Sequence, residues 1–215
     1  MNSDNLIIDT IEKYKKFINS TPTKKIKILI HACCAPCSSG VLEELKQHAD
    51  ITIYYYNPNT YPYEEYLKRY EEFSKLPYQF DIINEYYNEE EYLEYVKDYK
   101  DLKERSLRCY KCYELRIKQT AKKAKELGYD FFTTTLSISP YKNSKWINEI
   151  GLKCEEEFNI KFLYSDFKKN EGYKKTIVLS KEYDLYRQEY CGCRYSLDEL
   201  KERIYKTKEK EGNTE

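Results

Sequence analysis

Glycine is scarce in this chain, with 6 in 215 residues, and methionine and tryptophan occur once each. Proline is equally sparse at 6, and no internal repeat or low-complexity linker interrupts the sequence. Net charge is also missing, because 37 basic side chains are balanced by 37 acidic ones. A protein that coats nucleic acid through bulk attraction is therefore excluded, although a local basic face is not. No apolar run approaches the ~20 residues of a membrane span. The segment Met1 to Ser20 lacks the basic start, apolar middle and small-residue cleavage site of a signal peptide. The chain is expected to be soluble and cytoplasmic.

What is abundant is tyrosine, at 25 residues. With Lys, Asn and Ile also frequent, the bias reads as the codon drift of an AT-rich genome. Tyrosine must supply much of the core, and packing is its first reading, ahead of base stacking. The length suits one domain able to bury a core without disulfides or metals to hold it up. Metal, if held, is for chemistry.

Eight cysteines fall well short of the roughly 8–10% of a disulfide scaffold. They are also clustered. The groups are Cys33-Cys34-Ala35-Pro36-Cys37, Cys109-Tyr110-Lys111-Cys112 and Cys191-Gly192-Cys193, with Cys154 alone in a helix as a small hydrophobe. In a reducing compartment such grouping reads as metal or redox chemistry.

The apolar periodicity predicts an α/β fold, a mostly parallel five-stranded sheet flanked by helices. Strands are expected at 27–31, 51–56, 78–83, 130–135 and 161–164. Helices are expected at 5–18, 38–48, 62–75, 89–99, 109–127, 144–158, 172–183 and 196–206, with Gly128 stopping the longest. The organisation is an N-terminal helical extension over 1–22, a single α/β domain over 23–206 and a flexible tail over 207–215. The first cysteine group leaves strand one, where open α/β sheets gather their chemistry. The other two groups reach it only if the chain folds back there.

Cys109 and Cys112 share a helix face near its positive end, which favours thiolates. Gly192 permits a tight turn through which Cys191 and Cys193 converge. Cys33 and Cys34, being adjacent, do not easily grip one tetrahedral ion together. Seven candidate ligands exceed the four of one structural zinc, which leaves two readings: one zinc with spare thiols, or an iron–sulfur site with a second metal. His31 suits either a ligand or proton donor, or a hydrogen-bonded core histidine. His48 is a capping or solvated residue.

Five blocks carry a resemblance. They are His31 to Cys37; Tyr56-Asn57-Pro58-Asn59 with Pro62 to Tyr66; Arg108 to Cys112 with Arg116; Thr133 to Lys142; and Leu185 to Ser196. In this order, from about Lys27 to Leu200, they resemble the QueH family, the cobalamin-independent epoxyqueuosine reductases. The resemblance implies a nucleotide-hydrolase-like (HUP/Rossmann-like) fold, a 4Fe-4S cluster and an adjacent mononuclear iron. It implies cofactor binding by Cys33, Cys34, Cys109, Cys112, Cys191 and Cys193, with Cys37 a further metal ligand. The chain departs from the pattern at Cys37, where relatives can carry a carboxylate, and at Tyr61, where histidine is common.

The implied substrate is tRNA carrying epoxyqueuosine at the wobble position, reduced by two electrons from an external donor. His31, Tyr190 and Tyr195 are the candidate proton donors. Arg108, Arg116, Lys142 and Arg194 are the candidate phosphate contacts. The lysines at 118, 122, 123 and 125, and at 168, 169, 174 and 175, read either as an RNA-binding face or as solvated helix surface. Two other readings compete. An ATP-dependent RNA-modifying enzyme needs a phosphate loop after strand one, for which only Ser38-Ser39-Gly40 is on offer. A non-redox, zinc-binding RNA module needs only one four-thiolate site.

Overall fold

A computed structural model describes residues 25–169 and 171–212. The helix expected at 5–18 lies outside the described residues. Five strands, β1 (Lys27–His31), β2 (Asp50–Tyr55), β3 (Asp81–Asn84), β4 (Phe131–Thr134) and β5 (Lys161–Phe162), form one sheet in the order β3-β2-β1-β4-β5. Every pairing is parallel. The flanking helices are α1 (Ala35–Leu45), α2 (Tyr63–Glu71), α3 (Glu89–Val96), α4 (Leu107–Glu126), α5 (Ser144–Phe158), α6 (Gly172–Glu182) and α7 (Arg194–Gly212).

The central strand explains the layering. In β1 every residue from Ile28 to His31 is buried, as a strand covered on both faces must be. Ile28 and Ile30 pack with Val41, Leu42 and Leu45 of α1 on one side. Leu29 packs with Ile117 and Ala121 of α4 and Ile147 and Ile150 of α5 on the other. The period-2 alternation of side chains in β1 thus feeds two cores.

Tyrosine does supply the core. Tyr54, Tyr55, Tyr66 and Tyr92 are all buried. A buried phenol needs a partner for its hydroxyl. Tyr54 donates to Glu85 Oε2 (2.9 Å), Tyr55 to the Tyr66 carbonyl (2.8 Å) and Tyr66 to Asn84 Oδ1 (2.6 Å). Burial pushes the Tyr66 hydroxyl up to about 12.

Several elements end differently from their periodicity. The helix expected at 62–75 divides into α2 and a 3-10 turn over Glu72–Lys75. β3 starts at Asp81 and not at Tyr78, whose ring lies under Lys46 Nζ at 3.2 Å and whose hydroxyl meets that of Tyr183. β4 stops at Thr134 because the Thr134 hydroxyl accepts the Leu136 N–H (3.2 Å), turning Thr135–Ile138 into a 3-10 helix. α7 continues to Gly212, past the expected end at Lys206. Gly128, with φ +71°, follows α4 in the left-handed conformation its sequence position predicts.

Candidate metal centre

β1 leaves the sheet between β2 on one side and β4 on the other, so the chain reverses direction across the sheet at this point. That is where an open α/β sheet forms its crevice. Cys33 and Cys34 follow β1 directly, and Cys37 occupies the first turn of α1. Their sulfurs all lie within 4.8 Å of one another. Sequence adjacency does not keep Cys33 and Cys34 apart: Cys34 is extended (φ −169°, ψ 153°) and its Sγ stands 3.8 Å from that of Cys33. Two thiolates on one tetrahedral ion, each at the ~2.3 Å of a metal–sulfur bond, would stand about 3.8 Å apart.

The second and third groups lie in the same region: Cys33, Cys34, Cys112 and Cys193 belong to one buried cluster with Cys37 and Cys109 packed against it, and Cys37 and Cys191 line one cleft. Burial pushes Cys109 up to about 11, and Cys191 and Cys193 add to the rise through their own charge. Burial likewise pushes Cys112 up to about 12, opposed by Arg116 and reinforced by Cys193, Cys191 and Cys109. The two pairs are therefore electrostatic neighbours. Gly192 makes the approach possible: its φ is +131°, and a Cβ there would stand 2.8 Å from Arg69 Nη1. Arg69 in turn donates to the Cys191 carbonyl (3.1 Å) and ties that turn to α2. Cys154 stays apart, buried in α5, its thiol pushed up to about 12 by burial.

Cations surround these sulfurs. Arg116 is buried and donates to the Cys112 carbonyl (3.2 Å) and to Asn57 Oδ1 (3.4 Å), while its Nη2 has no partner. Burial opposes its charge, but Cys112, Cys33 and Cys191 outweigh that and hold its pKa up. Lys142 behaves the same way, its burial outweighed by Cys191, Cys33 and Cys37. Hydrogen bonds from Cys34 and then Cys37 hold Cys33 well below the ordinary thiol range, with Lys142 and Arg116 assisting. Among the described residues this buried guanidinium has an open N–H and no carboxylate partner, so negative charge beside it would be favoured. The all-thiolate donor set of Cys33, Cys34 and Cys37 beside it could hold a soft metal ion.

The crevice opens into a cleft of ≈ 310 Å³ lined by Cys37, Cys191, Lys142 and Tyr190 among others. Tyr190 donates to the Tyr61 carbonyl. Tyr195 stacks edge-on against Tyr92 (6.5 Å) with the Arg108 guanidinium 4.5 Å from its ring centroid. His31 is fully buried. The Tyr56 carbonyl can only accept, so Nε2 carries the proton (3.2 Å) and Nδ1 accepts from the Thr134 hydroxyl (2.9 Å). Burial, then Arg116, pulls its pKa down to about 3. Both ring nitrogens are thus engaged within the protein.

The expected phosphate contacts divide. Arg108 is buried, bonded to the Lys100 and Leu102 carbonyls and to Glu199 (2.9 Å), and Arg116 faces the sulfurs. Arg116 is held by buried acceptors, whereas Arg108, itself buried, bonds outward to carbonyls of the exposed residues Lys100 and Leu102 and to the partly exposed Glu199. Arg194 is gripped through two bonds by Glu89 (2.8 and 2.7 Å), and Lys142 lines the cleft. Among the surface lysines, Lys118 pairs with Glu157, Lys123 with Glu85 and Glu126, Lys174 with Glu171 and Lys175 with Glu43.

Two more residues bear on the sulfurs from the cleft. Tyr113 is buried and lines the cleft, and Gln188 donates to Cys34 Sγ (3.2 Å) with its Oε1 unpartnered. Tyr113 had a signal, since Cys109, Cys112, Tyr113 and Arg116 recur at helical spacing on one face. The contact of Gln188 with Cys34 had none. The phosphate-loop alternative finds no cradle: Ser38 and Ser39 are buried in α1 and donate to the Cys34 and Pro36 carbonyls (2.8 and 3.0 Å).

Residues 28–199 match the family described as epoxyqueuosine reductase QueH. The epoxyqueuosine reductase QueH of Streptococcus pyogenes serotype M1 is 42% identical over 177 residues, covering 79% of this chain and 69% of that protein. That of Staphylococcus epidermidis is 43% identical over 183 residues (78% and 74%), and that of Thermotoga maritima 40% over 191 (86% and 98%).

Proposed function

This chain belongs to the epoxyqueuosine reductase QueH family, and from that membership we propose that its thiol crevice removes the epoxide oxygen of epoxyqueuosine in tRNA. The observation that carries the reading is the gathering of three sequence-distant cysteine groups in one buried cluster and its cleft, beside Arg116, whose buried Nη2 has no partner among the described residues. Seven thiols, all but Cys154, are the proposed holders of a 4Fe-4S cluster and an adjacent iron. The chemistry such a pair supplies when bound is one-electron delivery from an external donor and Lewis acidity toward an epoxide oxygen.

The chain's own residues do the rest. Conversion of an epoxide to an alkene takes two electrons and two protons and releases water. Lys142, in the cleft and held protonated by the surrounding sulfurs, balances negative charge that develops there. Tyr190 lines the cleft together with Cys37 and Cys191 and is the proposed proton donor, a role in which its hydroxyl gives up the bond it donates to the Tyr61 carbonyl. Tyr195 supports Arg108, and His31 orients the ends of β1 and β4, both as positioning residues. Gln188 fixes Cys34 and leaves its carbonyl oxygen for a substrate N–H or O–H.

Among the described residues no helix is long and apolar enough to cross a membrane. The test is anaerobic purification with iron and sulfide assay, followed by conversion of epoxyqueuosine tRNA under reductant. Iron-loaded wild type should convert it, and Cys109→Ala and Cys193→Ala should lose iron and product together. Wild-type turnover by both variants would reject the metal-site assignment.

A further inference from the structure

Beside the cleft lies a second, smaller cavity of ≈ 230 Å³. The two share a wall made of Arg105, Tyr113, Tyr141 and Lys142, and Trp146 closes the far side of the smaller one. At this volume it is below the roughly 300–1,000 Å³ of a site for a whole drug-sized ligand, and it suits one planar ring.

The wall is presented to solvent. Tyr141 is 63% exposed, so much of its ring is open to solvent. The Arg105 guanidinium stands 5.3 Å from the Tyr141 ring centroid and has no carboxylate partner among the described residues. The wall is nevertheless anchored to the metal centre. Arg105 adopts φ +66°, and its backbone N–H donates to Cys109 Sγ (3.2 Å). Trp146 meets Tyr110, between Cys109 and Cys112, edge-on at 5.7 Å. An exposed aromatic ring with a cation over it, held rigidly beside a reactive site, is a stacking platform for an unpaired base.

We propose that this second cavity binds one nucleobase adjacent to the modified nucleotide, stacked on Tyr141 and clamped by Arg105. The inference rests on the reading of the chain as a tRNA-modifying enzyme and adds how the strand is held. Extruding one base unstacks its neighbours, and each neighbour then offers a π face to whatever aromatic surface is beside it. Lys142 lines both cavities and serves the phosphate between the two nucleotides.

The experiment measures binding of iron-loaded protein to an anticodon stem-loop carrying epoxyqueuosine, and to the same loop made abasic at either neighbouring position. Wild type should lose about tenfold in affinity for one of the two abasic loops. Tyr141→Ala should lose a similar factor on the intact loop, should lose nothing further on that abasic loop, and should keep wild-type iron content. Tyr141→Phe, which retains the ring, should bind as wild type does. Intact-loop affinity unchanged by Tyr141→Ala, or a full additional abasic penalty in that variant, would overturn the platform while leaving the reductase reading standing. Wild-type protein that neither binds nor converts the intact loop would overturn both.

Discussion

The first half of α4 carries Cys109, Cys112, Tyr113 and Arg116 inward, and its guanidinium meets sulfurs and carbonyls with no carboxylate near it. The second half carries Lys118 and Lys123 to the surface, where glutamates pair with both, and Lys125 to the Asn159 carbonyl (2.9 Å). One helix thus treats positive charge in two ways. Where solvent screens, the chain supplies its own counter-ions, each worth little. Where burial makes charge costly the two arginines differ: Arg108 meets the partly exposed Glu199, whereas Arg116 has no carboxylate partner among the described residues, so its countercharge must come from thiolates and what they bind. The thiols differ in the same manner. Cys112 faces Cys193, Cys191 and Cys109, whereas Cys154, packed toward the second half of α4, faces Glu157, Lys118 and Glu114.

The strongest way to break this contrast is Arg116→Met. Iron-loaded protein should lose roughly 3 kcal/mol of stability, as when one partner of a buried charge pair is removed. Metal-free protein should lose much less, since there the guanidinium has no full counter-ion. Equal losses in chemical denaturation of the two forms would mean that Arg116 is an ordinary structural residue. Gly192→Ala comes next. Strain at φ +131° together with the encounter with Arg69 should cost about 1–3 kcal/mol and lower iron content, because this turn brings Cys191 and Cys193 against α4. Full iron occupancy in that variant would contradict the role given to the turn.

Cys154 sharpens the contrast through pH. Its thiol is held up to about 12 by burial, so the folded chain keeps that proton while an unfolded thiol releases it from about 8.5 upward. The unfolded state then binds fewer protons, and this residue's contribution to stability falls as pH rises from the ordinary thiol range toward 12. Alkylation of Cys154 followed by mass spectrometry should stay slow and nearly flat between pH 7 and 9 in folded protein. Acceleration matching that of unfolded chain would show that the thiol is accessible. The smallest effect is expected at Lys118→Ala, below about 0.5 kcal/mol in thermal or urea unfolding, with iron content unchanged.

Much of the scaffold was legible before folding. The strand Lys27–His31 and the helix Ser144–Phe158 have the bounds that periodicity alone predicts, because each is bordered by a clear change of pattern. Tyr78 illustrates the opposite case. Its alternation with Phe80 and Ile82 reads as strand, but a cation and a second phenol capture its ring and hydroxyl. The site was legible only as three groups of sulfur. Arg108 and Arg116, flanking the cysteines, read as candidate phosphate contacts, and sequence carries no direct signal that a charged side chain is buried. Gln188 lies within the Leu185–Ser196 block, but its contact with Cys34, far along the chain, had no signal of its own.

Sequence by itself determined the alternation of strands and helices, the clustering of cysteine and the family, because each is a matter of local pattern or ordered motifs. Tertiary structure alone decided that β1 emerges between β2 and β4 and that the Gly192 turn is tied to α2. It also decided that a guanidinium stands uncompensated among thiols. Each of these depends on packing between residues distant in the chain, where burial sets the cost of charge and the position of every sulfur.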